Sequence, residues 1–121
     1  MISVLQLDPG ILGYVVNGKI EKIDIDSIVS DMDAKVPALE KVRLYIEVSK
    51  TDGITPEAFL RDMQLGLPRT PYLFKIQRLA VVTDISGVKT FANAQAKVAR
   101  WFETRVFTVA EKATALAWLR A

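Results

Sequence analysis

Asp84 follows the apolar run Leu79–Val82 and lies just before Ser86-Gly87. If that run is a strand, Asp84 stands at its carboxyl end, where open α/β sheets place their sites. Acid–base work by this carboxylate is one reading, and capping of the helix from about Val88 by Asp84 or Ser86 is the competing one. A second group of candidates is the hydroxyls Ser49, Thr51 and Thr55 in the segment Ser49-Lys50-Thr51-Asp52-Gly53-Ile54-Thr55. Phosphate there would be favoured by a following helix N-terminus. Thr55-Pro56-Glu57 equally spells a plain helix start, with Thr as N-cap and Pro at the first helical position.

The rest of the composition narrows the chemistry. The 121 residues contain no cysteine and no histidine. Disulfides, thiolate or imidazole metal sites and Ser-His or Cys-His nucleophiles are therefore excluded. No metal or other cofactor is expected, and neither Gly-x-x-x-x-Gly-Lys nor Gly-x-Gly-x-x-Gly occurs. These absences favour binding over catalysis, so the chain is read as a non-enzyme.

Half the residues are apolar and a quarter charged, which suits one globular domain over residues 1–121. Residues 1–60 carry a net charge of −4 and residues 61–121 of +6, giving +2 in all. Nucleic acid is not expected as a partner despite Arg100, Trp101 and Phe102 standing together, because so small a net charge lacks a basic footprint. Arg100 and Arg105 are read as a solvated helix edge. Met1–Leu7 has no basic n-region, and no apolar run reaches membrane-spanning length. A cytoplasmic protein, at most peripheral at a membrane, is expected.

Positioning elements follow from periodicity. Ile2–Leu7 and Leu12–Val16, separated by Asp8-Pro9-Gly10, predict an antiparallel hairpin, and Asn17-Gly18 offers a second tight turn before a strand Lys19–Ile23. Ile25, Ile28, Val29, Met32 and Val36 share a helical face, with Asp24 and Asp26 in the first turn. Val42–Val48 alternates as a strand with unequal faces, and Leu79–Val82 suits the centre of a parallel sheet. Val88, Phe91, Ala92, Ala99 and Phe102 have helical spacing, and Arg105–Phe107 is a short strand. Thr108 and Glu111 form a capping box for a last helix through Ala113, Leu116, Ala117 and Leu119. The expected class is α/β, a mixed, mostly parallel sheet opened by a hairpin, in the order β-β-α-β-α-β-α-β-α.

Gly18-Lys19-Ile20, Arg43-Leu44-Tyr45-Ile46-Glu47-Val48, Ile76 through Asp84, and Arg105-Val106-Phe107 through Ala117-Trp118-Leu119 together resemble the SpoIIAA-like proteins, relatives of STAS domains. The resemblance spans nearly the whole chain and rests on order and spacing. In anti-sigma-factor antagonists of STAS type, an Asp-Ser-Ser-Gly-like turn after the third strand is phosphorylated. Here residues 49–55 depart from that pattern. The SpoIIAA-like group implies instead a helical flap over a hydrophobic cavity for an apolar or amphipathic, lipid-like ligand. The matching flap is Thr55–Lys75.

The flap's own residues bear on that implication. Phe59, Leu60, Met63, Leu67, Tyr72 and Phe74 would line the ligand, although a helical stripe of this kind also serves as ordinary core. Leu65, which lies off the stripe, would face a membrane with Leu73, Arg69 and Lys75. Arg61, Arg69, Lys75 and Arg78 against Glu57 and Asp62 leave +2 locally, at about 1 kcal/mol for each basic residue near an anionic surface. Insertion of Leu65, Leu73 or Phe74 would add about 1.5–3 kcal/mol each, so only weak membrane contact is expected. The flap's apolar residues are also material for a homodimer contact. The alternative function is a protein-interaction regulator of the anti-sigma-factor-antagonist type, with a modified hydroxyl in residues 49–55.

Overall fold

The computed structural model describes residues 1–53, 55, 58, 61–62, 71, 73–98 and 102–121. Asp8-Pro9-Gly10 makes the first turn: the Ile11 N–H donates to the Asp8 carbonyl at 3.0 Å, and Gly10 adopts φ +87°, as the third position of a type II turn requires. The turn joins β1 (Ile2–Leu5) antiparallel to β2 (Ile11–Ile20).

Asn17-Gly18 does not form a second hairpin, and Lys19–Ile23 is not a separate strand. β2 instead continues to Ile20 and pairs in parallel with β3 (Val42–Gly53). With β1 on one edge of β2, a returning hairpin strand would have to displace β3 from the other. Gly18, at φ +64°, falls where the register shifts between Val16 and Gly18. A Cβ there would meet nothing within 4 Å, so Gly18→Ala isolates the left-handed backbone cost. It is expected to lower stability by about 1–2 kcal/mol in urea denaturation, with no change in the slope.

α1 (Lys22–Lys35) begins with a reciprocal box in which the Glu21 N–H donates to the Asp24 carboxylate at 2.8 Å. Ile28, Met32 and Val36 are buried and Ile25 partly so, as their spacing predicts, but Val29 is exposed. Pro37 lies in a short 3-10 turn, Val36–Ala38. After β3, Ala58, Arg61 and Asp62 are helical. A 3-10 turn (Leu73–Lys75) then leads into β4 (Ile76–Val82). α2 (Ser86–Val98), β5 (Glu103–Phe107), a 3-10 turn (Val109–Glu111) and α3 (Lys112–Arg120) complete the chain. Phe102 precedes β5 in a bend rather than ending the helix, and Arg105 stands on β5 rather than on a helix edge.

The five strands lie in the order β1-β2-β3-β4-β5, all neighbours parallel except the opening pair. β3, not β4, is therefore the central strand. The apolar run of β4 reports burial on two faces, a condition shared by any inner strand of a covered sheet.

One face carries Tyr14, Val16, Leu44, Ile46, Leu79 and Val81 against Ile28 and Met32 of α1 and Val88 and Ala92 of α2. The opposite face carries Ile11, Tyr45, Ala80 and Val82 against Ala115 and Leu119 of α3. Ala113 and Ala117, expected on the packed stripe of this last helix, are exposed. Its inner face is Ala115, Leu116, Trp118 and Leu119.

Candidate functional site

Two of the residues singled out by sequence, Thr55 and Asp84, have structural partners. Thr55 is exposed, and its Oγ1 accepts the Ala58 N–H at 3.1 Å, which is the N-cap geometry. Ser49 and Thr51 lie within β3 rather than in a turn after it, because the strand continues to Gly53. Asp84 and Ser86 do not compete for one helix start: the Asp84 carboxylate accepts the Val109 N–H at 3.1 Å, and Ser86 opens α2. The carboxylate thus ties the end of β4 to the turn before α3.

Of the predicted ligand and membrane residues, Phe59, Leu60, Met63, Leu65, Leu67, Arg69 and Tyr72 lie outside the described residues, as does the Leu73 side chain. Phe74 is 94% exposed in the turn before β4. Lys75 donates to the Pro37 carbonyl at 3.3 Å. Arg105 pairs with Glu103 at 3.3 Å.

A polar cluster that sequence reasoning missed lies beneath α3. Tyr45 and Glu47, two residues apart on β3, face the same side of the sheet, and the Tyr45 hydroxyl donates to Glu47 Oε1 at 2.8 Å. Lys112, in the first turn of α3, reaches Glu47 Oε2 at 3.2 Å. The Glu47 side chain is 11% exposed and that of Lys112 47%, so the carboxylate is buried while the ammonium remains in water. Nearby, the buried Thr83 hydroxyl donates to the Val48 carbonyl at 2.8 Å and accepts the Ile85 N–H at 3.1 Å. These bonds fasten the carboxyl end of β4 to the middle of β3. The available signal was the Arg43-x-Tyr45-x-Glu47 alternation within Val42–Val48, a stretch otherwise apolar.

Burial pushes the Tyr45 hydroxyl above its ordinary value of 10.0, and the bond to Glu47 and its negative charge push it further. Tyr45 is consequently a neutral donor at physiological pH, unsuited to act as a base. In the unfolded chain the phenol ionises near pH 10, while in the folded chain it resists. Its contribution is therefore complete below pH 10 and is lost as pH rises beyond it. The wild type is expected to show an alkaline loss approaching about 1.4 kcal/mol per pH unit from this group. Tyr45→Phe should forfeit about 1 kcal/mol at neutral pH but lack that increment, a difference readable in paired urea titrations at pH 7 and above pH 10.

The far end of α3 is held by cations. Arg43 Nη1 donates to the Leu119 carbonyl and Arg78 Nη1 to the Trp118 carbonyl, the latter at 2.6 Å, so two guanidinium groups meet the negative end of the helix. The guanidinium carbons of Arg78 and Arg105 lie 5.1 and 5.0 Å from the Trp118 ring centroid, and the ring tilts against Phe107 at 5.9 Å. At the other end the Thr108 and Glu111 capping box forms, but it caps the 3-10 turn that leads into α3 rather than α3 itself, and the Thr108 backbone N–H, then its hydroxyl, hold the Glu111 carboxyl below its usual range.

Two recesses among the described residues lie around the Asp8-Pro9-Gly10 turn, where the parallel strands begin. One, of about 340 Å³, is bordered by Asp8, Lys41, Arg43, Gln77 and Arg120, with Arg120 paired to Asp8 at 2.5 Å. The other, of about 350 Å³, is lined mainly by Leu5, Leu7, Ile11, Leu12, Ala38 and Leu39, with Lys35 at its border. Lys35 itself pairs with Asp31 at 2.9 Å, and Asp31 accepts the hydroxyl of the fully buried Tyr14 at 2.6 Å. Among the described residues, no group of three or more acidic side chains could hold a metal ion, and no helix is long and apolar enough to cross a membrane.

A five-stranded mixed sheet with one antiparallel edge pair and helices on both faces defines an α/β domain of SpoIIAA-like fold. The same fold occurs in the crystal structure of an uncharacterized protein of the DUF3478 family from Shewanella loihica PV-4. It superposes with a TM-score of 0.70 at 18% identity, covering 98% of this chain and 92% of that one. The SpoIIAA-like family model matches residues 11–120, and the chain belongs to that family. No curated protein matches it.

Proposed function

We propose that this SpoIIAA-like domain is a non-catalytic binder of an apolar or amphipathic, lipid-like small molecule. The ligand would be held by the β3–β4 connection, through Phe59, Leu60, Met63, Leu67, Tyr72 and Phe74. Contact with an anionic membrane surface through Leu65, Arg69, Leu73 and Lys75 is weak and reversible. The observation that carries the reading is Phe74, a large aromatic side chain left 94% exposed at the end of a connection whose sequence is rich in apolar residues. Apolar side chains of this kind are the ordinary lining of small-molecule sites. The titratable groups argue against catalysis, since the buried Glu47 and Tyr45 and the exposed Asp84 are each committed to structural partners.

Native mass spectrometry of freshly purified protein, with and without added oleate, tests this. A lipid-like mass that co-purifies, or an oleate adduct lost in Phe74→Ala, is expected. Flotation with anionic phospholipid vesicles should be weak at low salt and absent at high salt. No adduct in repeated preparations and no flotation at low salt would remove the reading. An oleate adduct indifferent to Phe74 would move the site to the apolar recess at Leu5, Leu7 and Leu39. A reproducible protein partner, with phosphate on Ser49, Thr51 or Thr55, would favour the regulator instead.

A further inference from the structure

β5 ends the sheet: β4 pairs with one of its edges, and no strand among the described residues pairs with the other. An unpaired edge is a template for another strand unless something blocks it. β5 carries no proline, and its side chains alternate cleanly. Glu103, Arg105 and Phe107 lie on the α3 face in the same rows as Arg78, Ala80 and Val82, while Thr104 and Val106 share the α1/α2 face with Leu79 and Val81. Phe102 packs into the core of that second face.

The sequence of this edge is self-complementary. In an antiparallel pair of identical strands centred on Thr104, Glu103 stands opposite the second copy's Arg105, and Arg105 opposite its Glu103. Thr104 meets Thr104, and Phe102 meets Val106 twice. Opposite charges, Thr–Thr and aromatic–β-branched pairs are the cross-strand combinations that stabilise antiparallel sheets. Centring on Arg105 would instead set the two arginines against each other. The side chains concerned are available: those of Glu103 and Arg105 are 52% and 55% exposed, and stacking on Trp118 holds Arg105 in place.

We infer that a second copy of this chain docks on the outer edge of β5, antiparallel and centred on Thr104. The result is a two-fold dimer with one continuous ten-stranded sheet, isologous because each residue's partner is repeated across the axis. Charge complementarity at Glu103 and Arg105 selects this occupant. The contact is independent of the ligand-binding connection. It places the dimer interface at β5 rather than at the flap residues that sequence suggested.

Sedimentation velocity over a concentration series should show a mass rising from one chain to two. Glu103→Arg and Arg105→Glu, each confirmed as folded by circular dichroism, put like charges opposite one another and should each weaken the dimer about tenfold or more. Mixed together, these two variants restore both pairs, and the heterodimer should form where neither homodimer does. Thr104→Cys provides the register test in a chain otherwise free of cysteine. Directly opposed Cα atoms of about 4.5–5.5 Å lie within the span of a disulfide, so the pair should oxidise to a linked dimer that reductant reverses. A wild type that is monomeric at every concentration, a dimer that survives Arg105→Glu, or failure of the mixed variants to associate would overturn the inference. So would an acidic peptide binding at β5 to a chain that stays monomeric.

Discussion

Truncating Leu119 to Ala is expected to lower the unfolding free energy by about 2–5 kcal/mol, measured by urea denaturation. Leu119 is fully buried, and with Ala115, Leu116 and Trp118 it is the apolar means by which α3 covers its face of the sheet. α3 has nine residues, too few to be helical in isolation, so its helicity is borrowed from that docking. Loss of the side chain leaves a cavity over Ile11, Tyr45 and Ala80 that a backbone clamped at both ends cannot close. The clamps are the Thr108–Glu111 box at one end and the Arg43 and Arg78 guanidinium groups at the other. The cost should therefore fall in the upper part of the range. Near-ultraviolet circular dichroism should also lose the contribution of Trp118, whose contacts with Arg78 and Arg105 depend on the same helix. A Leu119→Ala protein as stable as the wild type would mean that α3 is held by its polar contacts alone.

α3 also marks the boundary of what sequence revealed. The strands and helices that alternate along the chain were legible because each carries a period of its own: Ile25, Ile28 and Met32 on a helix, and Leu44, Ile46 and Val48 on a strand. Capping chemistry was legible where all partners lie within four residues, as at Thr108–Glu111 and Thr55. Where a residue's role depends on a distant partner, the same signals misled. Asn17-Gly18 has the sequence of a tight turn, but β3 claims the edge that the turn would have needed. Asp84 looked like the cap of the next helix and serves a turn 25 residues away.

The candidate site was legible in the same uneven way. A buried Glu47 cannot be foreseen from β3 alone, since its second partner, Lys112, comes from the last helix and local alternation does not show which face that helix covers. Family membership could be read from the order of elements because order is a property of the whole chain. The interaction edge at β5 needed both kinds of information. Its charge pattern is in five consecutive residues, but only the topology shows that the strand is terminal.

The buried cluster yields the second large effect, which depends on which member is removed. Lys112→Met is expected to cost about 1–3 kcal/mol, between the value for an exposed pair and that for breaking a buried one, because the Lys112 side chain is half exposed while that of Glu47 is not. The substitution leaves a buried carboxylate with Tyr45 as its remaining cluster partner. Glu47→Leu should cost less, since it removes the charge whose desolvation was being offset and releases Lys112 to water. Its main penalty is the Tyr45 hydroxyl left without its acceptor. The combination Glu47→Leu, Lys112→Met and Tyr45→Phe replaces the whole set with apolar groups and should return to within about 1 kcal/mol of the wild type. The ordering, with the triple variant more stable than Lys112→Met, is the discriminating result in urea denaturation. If the three single losses simply add, the cluster contributes net stability rather than fixing how α3 sits on the sheet. If the triple variant recovers, its polar groups matter for how α3 is oriented on the sheet rather than for net stability.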